Sequence, residues 1–328
     1  MSWWTEINWT NAAFNTWIGC HKKSEACANC YALHQSDVLG RIKIWSKGRY
    51  LKVWGQDAPR HFQSDDYWAQ PLKWNRRAKE AGVAIKVFSN DMSDLFEDYS
   101  DYPNGVPGVH EEMNRARVRL WKLIEETPFL EWQLLTKRPE NVRRMVPWGA
   151  TWPRNVWVGT TVETQERALE RIPHLIELPA VVRFLSIEPM LGPIDLSEWK
   201  GLIDWVINGT ESITAKRPVE IDWIRYLRDQ CLRDGVAYWF KQWGMHEPAS
   251  PIGDTIRTQV PSIDGKVRFK KFAVLDGRVW NQFPIYRWKR EGKAKTAWER
   301  LDAYDLEEAS ARSEAQDATH AIVDAGAR

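Results

Sequence analysis

Three of the four cysteines of this 328-residue chain, Cys20, Cys27 and Cys30, fall within eleven residues. Thiolates bind soft and borderline metals, so a cluster this dense implies either an iron–sulfur centre held by three sulfurs or a zinc ion completed by a histidine. Spacing alone leaves both open, since His34 follows Cys30 by four positions and His21 adjoins Cys20. Three thiol ligands leave one metal position free. A third chemistry, a two-metal nuclease built on Asp91, Asp94 and Glu188, would leave the thiols idle.

These residues need elements to hold them. Gly19 lets the backbone turn into the thiol loop, and Tyr31 opens a helix just after the last cysteine. From residue 84 onward, apolar runs alternate with helical stretches. The strands expected are 84–88, 131–135, 155–158, 181–185, 203–207 and 236–240, with helices over 111–126, 164–178 and 222–233 between them. Pro139 suits the first turn of a further helix, and Gly235 suits a helix stop. Continuous rather than alternating hydrophobicity implies a parallel sheet buried on both faces.

The fold class is therefore α/β, a partial (β/α) TIM-like barrel of about six parallel strands, seven with one ahead of Cys20. An open doubly wound sheet is the runner-up, but the first unit lacks a Gly-rich phosphate fingerprint. Polar residues recur where strands end: Asn90, Asp91 and Asp94; Lys137; Thr160 and Glu163; Ser186 and Glu188; Glu211. In a barrel those ends form one rim, which the thiol loop shares. Each Glu could equally serve as a helix cap or dipole partner.

Residues 1–245 read as the barrel with an insertion at about 40–80, and residues 246–328 as a strand-rich appendage with a charged helical tail. The insertion interleaves Arg41, Lys43, Lys47, Arg49, Lys52 and Arg60 with aromatic rings, a pattern suited to single-stranded or flipped nucleic acid and equally to an amphipathic helix. A net charge of +2 gives no global pull toward nucleic acid. Of the 21 tryptophans, Trp132, Trp157, Trp205 and Trp239 read as core, while Trp3, Trp4, Trp9 and Trp17 are candidates for ligand stacking. Cys231 reads as a packing residue. With no long apolar run and no signal-like start, and with cysteines that make a poor disulfide framework, a cytoplasmic protein without a membrane span is expected, in the host cytoplasm if phage-encoded.

The motifs Gly19-Cys20 with Cys-x6-Cys-x2-Cys-Tyr-Ala, Ser93-Asp-Leu-Phe96, Leu134-Leu-Thr-Lys-Arg-Pro139, Phe184-Leu-Ser-Ile-Glu-Pro189, Asn208-Gly-Thr-Glu211 and Phe240-Lys-Gln-Trp-Gly244 together resemble the phage-associated three-cysteine family of radical SAM-like proteins. The resemblance spans about residues 5–285. It implies that Cys20, Cys27 and Cys30 hold a [4Fe-4S] cluster whose open iron binds S-adenosylmethionine, and that reductive cleavage yields a 5′-deoxyadenosyl radical. The first gap is longer than in the commonest radical SAM spacing, Cys-x3-Cys-x2-Cys. Asn29 replaces the frequent aromatic before the last cysteine, so Tyr31 becomes the adenine contact. On this reading Asn90, Asp91, Asp94, Thr160, Glu163 and Ser186 bind the cofactor, and Glu188, Glu211 and Lys137 are catalytic. The resemblance further implies an electron donor such as flavodoxin or ferredoxin. Its leading substrate is a glycine-modified thymidine in phage DNA, isomerised during a thymidine hypermodification that evades host restriction.

Overall fold

The structure, a computed structural model, describes residues 5–38, 45–46, 49–50, 52–212, 217–244, 253–260 and 266–284. Its centre is a parallel sheet of β1 (Ala12–Phe14), β2 (Ile85–Ser89), β3 (Leu130–Thr136), β4 (Val156–Thr161), β5 (Val182–Ile187), β6 (Trp205–Gly209) and β7 (Ala237–Gln242). The strands lie in chain order, each parallel to the one before. An order that never reverses has no switch point, which removes the doubly wound alternative. The sheet curls into a half-barrel of seven strands. The short β1 ahead of the thiol loop joins the six strands whose apolar runs are legible in the sequence.

Five helices cover the convex face: α1 (Gln70–Ala81), α2 (Val109–Glu126), α3 (Pro139–Met145), α4 (Gln165–Ile176) and α5 (Ile221–Asp234). Their apolar stripes, including Met113, Leu120, Val142, Ile172 and Leu227, join Val87, Trp132, Val158, Leu185 and Val206 in one core. Cys231 is buried there, as a packing residue should be. Pro139 begins α3, and α5 stops at Gly235, whose φ of 69° a side chain would disfavour.

The concave face is filled by rings. Phe88, Trp157, Phe184, Trp205 and Trp239 form a second core, with Trp205 edge-on to Trp157 at 5.8 Å and to Trp239 at 6.2 Å. Gly159 makes room for this: a Cβ there would stand 2.5 Å from the Phe184 ring.

β1 and β7 are the ends of the sheet order, and the space between them is closed by chain from both sides. From one side come residues 7–10. From the other comes an antiparallel appendage of β8 (Gly253–Val260), β9 (Arg268–Leu275) and β10 (Arg278–Val279). Trp9 packs on Phe88 at 4.7 Å and Trp205 at 6.0 Å. Asn8 donates at 2.9 Å to the carbonyls of both Lys241 and Lys271 and accepts from Trp239 Nε1 at 3.1 Å. Trp9 and Trp17 are thus core residues, correcting their expected role as stacking platforms; burial of an indole this large outweighs exposure for a ligand. Trp3 and Trp4 lie outside the described residues.

Lys270 of β9 is buried at this closure and donates to the carbonyls of Ile7, at 2.6 Å, and Thr10. Burial, with Lys86 adding repulsion, lowers its pKa to about 7. An unfolded lysine titrates near 10.4, so between about pH 7 and pH 10 unfolding takes up a proton. Stability from this group therefore rises with pH across that window and is flat below it. The urea midpoint should be higher at pH 9.5 than at pH 7.5, and Lys270→Met should flatten the difference.

The insertion contributes α1 and a preceding turn of helix, with Trp68, Trp74 and Ala78 buried, so part of it is the amphipathic helix. Arg41, Lys43 and Lys47 lie outside the described residues, as does the charged tail. Arg60 is not a phosphate ligand: its guanidinium is buried against Glu97 at 2.8 Å. No described helix is long and apolar enough to cross a membrane.

Candidate active site at the mouth of the half-barrel

Side chains alternate along a strand, so counting by twos from the concave-face rings finds the residues that face the mouth. Trp157 leads to Thr161 and Phe184 to Ser186, while Asn90, Lys137, Glu163, Glu188 and Glu211 follow the strand ends and Lys241 sits at a register shift between β6 and β7, so their contacts place them. Thr160 falls on the other parity. It is buried, as Val158 is, and donates to the Thr136 carbonyl at 2.9 Å.

The thiol loop starts at Gly19, after a two-residue strand Trp17–Ile18 that pairs with His61–Phe62; the φ of Gly19 is 107° and a Cβ there would meet the Val53 carbonyl oxygen at 2.2 Å. Residues 25–29 make one tight turn and Tyr31–Leu33 a short helix. The loop is tied down along its length. Gly55 N–H donates to the Cys20 carbonyl at 3.1 Å and His21 N–H to Glu97 Oε1 at 2.9 Å, while Arg138 donates to the His21 carbonyl at 2.9 Å. Ser24 Oγ donates to Glu163, Asn29 Nδ2 to Glu211 at 3.0 Å, and the Tyr31 hydroxyl to the Asp91 carbonyl at 2.7 Å.

Most rim carboxylates have committed partners. Glu163 pairs with Arg171 at 2.8 Å, both fully buried; Glu211 pairs with Arg217, and Glu188 with Lys241. Asp94 pairs with Arg138 at 2.9 Å and accepts from Thr136 Oγ1 at 2.6 Å and Lys137 N–H at 3.1 Å. Burial raises the Asp94 pKa, but Arg138 and these hydrogen bonds outweigh it and hold the carboxyl below its usual range. Asp91 accepts from Asn15 at 2.5 Å, and its pKa is raised because burial dominates. Asn90, with φ at 63°, spends its amide on Thr16 and Ser93. Asn90 and Asp94 therefore brace the loop after β2 and the start of α3. Ser186 is buried on the concave face below Glu188.

Two cations stand against the thiols. Arg138, fixed by Asp94, reaches within 4.0 Å of Cys20 Sγ. Burial alone would lower the Lys137 ammonium, yet negative charge on Cys27, Glu163 and Cys30 holds its pKa above the ordinary value. Burial pushes the Cys20 thiol well up, with Glu97 adding and Arg138 opposing. Among the described residues no three His, Cys, Asp or Glu side chains converge on a point that a single metal ion would occupy. The two-metal nuclease set is overturned: Asp91, Asp94 and Glu188 each face a different partner, Asn15, Arg138 and Lys241.

With this geometry in view, comparison with known proteins gives one assignment. A family model described as protein of unknown function (DUF5131) matches residues 4–284. This chain belongs to that family. The DUF5131 region holds both the half-barrel and the described appendage. A solved structure of a spore photoproduct lyase mutant with bound AdoMet and dinucleoside spore photoproduct is similar at 13% identity and a TM-score of 0.35, over 67% of this chain and 61% of that one. A search of curated proteins finds no match.

Reading by residue type finds Lys137 of this DUF5131 site but not its other cations. Arg138 adjoins Lys137, and Lys241 lies in the Phe240–Gly244 motif. Arg171 and Arg217 leave no such trace, since they arrive from α4 and from the chain ahead of α5. Glu188→Gln keeps shape but removes the Lys241 ion pair, which is partly open to solvent. It should leave the urea midpoint nearly unchanged, and a loss of more than about 1 kcal/mol would make the pair structural.

Proposed function

We propose that this chain is a radical SAM enzyme in which Cys20, Cys27 and Cys30 hold a [4Fe-4S] cluster at the mouth of the half-barrel. The observation that carries the reading is the placement of three thiols on one anchored loop after β1, beside Lys137 and Arg138, at the carboxyl end of a parallel sheet. Bound there, such a cluster supplies the electron that cleaves S-adenosylmethionine and so opens hydrogen abstraction at unactivated carbon. The chain's own residues would do the rest. Lys137 and Arg138 offset the negative charge of three thiolates. Asp91 and Glu188 are acceptors for an ammonium, and Ser186 and Lys241 are donors for a carboxylate. Tyr31, half-buried with its hydroxyl on the Asp91 carbonyl, is the candidate wall for a flat base.

The substrate we favour is a glycine-modified thymidine in phage DNA, isomerised in a pathway that protects the DNA from host restriction, with flavodoxin or ferredoxin as donor. The basic and aromatic insertion supports contact with the polymer, though its cations Arg41, Lys43 and Lys47 lie outside the described residues. Anaerobic purification with iron and sulfide analysis, then dithionite and S-adenosylmethionine, tests the core of the proposal. A brown protein that releases 5′-deoxyadenosine is expected; a colourless protein carrying zinc would end it.

The zinc reading has one observation in its favour. His34 Nδ1 is buried without a hydrogen-bond partner, four residues after Cys30. His34→Ala should leave the iron content unchanged, and loss of metal with all three thiols intact would give the site to zinc.

A further inference from the structure

We infer that Glu163 and Glu211 are positioning residues that hold the thiol loop in its ligand-bearing shape before any metal arrives. The inference rests on the cluster reading only for what the loop later binds. Both carboxylates were expected to meet cofactor or substrate, but each is anchored behind by an arginine and in front by a loop side chain. Glu163 is fixed by Arg171 at 2.8 Å and receives Ser24 Oγ. Glu211 is gripped by Arg217 and receives Asn29 Nδ2 at 3.0 Å. Ser24 and Asn29 flank Cys27 on either side, so the two bonds fix the middle cysteine from opposite ends.

The same two sites carry a second layer of contacts. Arg167 pairs with Glu25 at 2.8 Å, and Arg217 Nη1 donates to the Glu25 carbonyl at 2.9 Å. The turn of residues 25–29 therefore lies between the end of β4 and the end of β6, bonded to both. A buried carboxylate with a charged partner behind it is a rigid acceptor, because moving it would strand the arginine. A hydrogen bond to such a charged group is shorter and stronger than a neutral one. Loops that must supply several ligands to one centre lose affinity when their supports go, since ordering the loop then falls on the binding step.

The test removes the loop-side donors and leaves both ion pairs intact, the one with Arg171 buried and the one with Arg217 partly exposed. Ser24→Ala and Asn29→Ala are made singly and together in the metal-free protein, and amide exchange of residues 20–31 is followed by mass spectrometry. Protection in the parent and about 10-fold faster exchange in the double variant are expected, with the rest of the sheet unchanged. Ser24→Thr, which keeps the hydroxyl, should restore protection, and Asn29→Asp, which sets a second carboxylate against Glu211, should loosen the loop more than alanine does. Iron loss to a chelator after reconstitution should quicken in the same order. A parent loop that exchanges at the free-chain rate, or a double variant as protected as the parent, would overturn the inference. Should the exchange results hold while the protein takes up no iron, the anchors stand and the radical reading falls.

Discussion

Alanine at Cys20, Cys27 or Cys30, one at a time, is expected to abolish cluster binding, the largest functional effect available in this chain. Each thiolate would occupy its own iron, so removing one leaves a corner with no protein ligand, and Cys231 is buried in α5 and unable to substitute. The three variants should be colourless after anaerobic reconstitution, lack the iron–sulfur absorption band, and form no 5′-deoxyadenosine. Their folds should persist, because Cys20, Cys27 and Cys30 are half-buried and lie outside both large cores, Cys30 touching only the small cluster of Ile18, Ala32, Val53 and Met92. Retention of a full complement of iron by any one of them would show that the remaining pair suffices and would remove that cysteine from the site.

The largest effect on stability is expected at Glu97. This carboxylate is fully buried, takes two hydrogen bonds from Arg60 at 2.8 and 3.1 Å, and also accepts from the His21 amide and the Tyr102 hydroxyl, both at 2.9 Å. Arg60 has no exit to water, and its other nitrogen donates to carbonyls of residues 53–59. Glu97→Ala would leave that charge buried and unpaired, at a cost of about 3–5 kcal/mol. Replacing both partners, as Glu97→Leu with Arg60→Met, should recover much of the loss, since neither charge then needs solvating. Urea unfolding of the three proteins measures this, and a loss below about 1 kcal/mol in the single variant would show that the Arg60 environment relaxes to admit water. The thiol loop should loosen with it, because the His21 amide loses its acceptor.

Much of the architecture was legible because the strands are buried on both faces. A run such as Val182–Ile187 can hardly be anything but a central strand, and the turn residues after it mark the rim. The strand ends were placed one to three residues early in several cases, since Gly159, Thr160 and Thr161 look like loop yet continue β4. What sequence could not supply was which polar groups were already engaged. Glu163, Glu188 and Glu211 look alike after their strands, and only the fold shows that two are bonded to loop and arginine while the third faces a lysine. Trp9 misled for a related reason. Its neighbours in sequence are polar, but its neighbours in space are Phe88 and Trp205.

The closure beside β1 has a consequence for how the molecule is made. Asn8 bonds to residues 233 and 263 positions away, and Lys270 to Thr10 across 260. These are among the most non-local contacts a chain of this length can form, and they are the ones that cover the tryptophan-lined concave face. During synthesis the sheet can assemble strand by strand as it leaves the ribosome, yet that face is covered only from the side of residues 7–10 until β9 emerges. A nascent chain halted after β7 would present several indoles to solvent, so the interval between the completion of β7 and the arrival of β9 is when this protein most needs a chaperone.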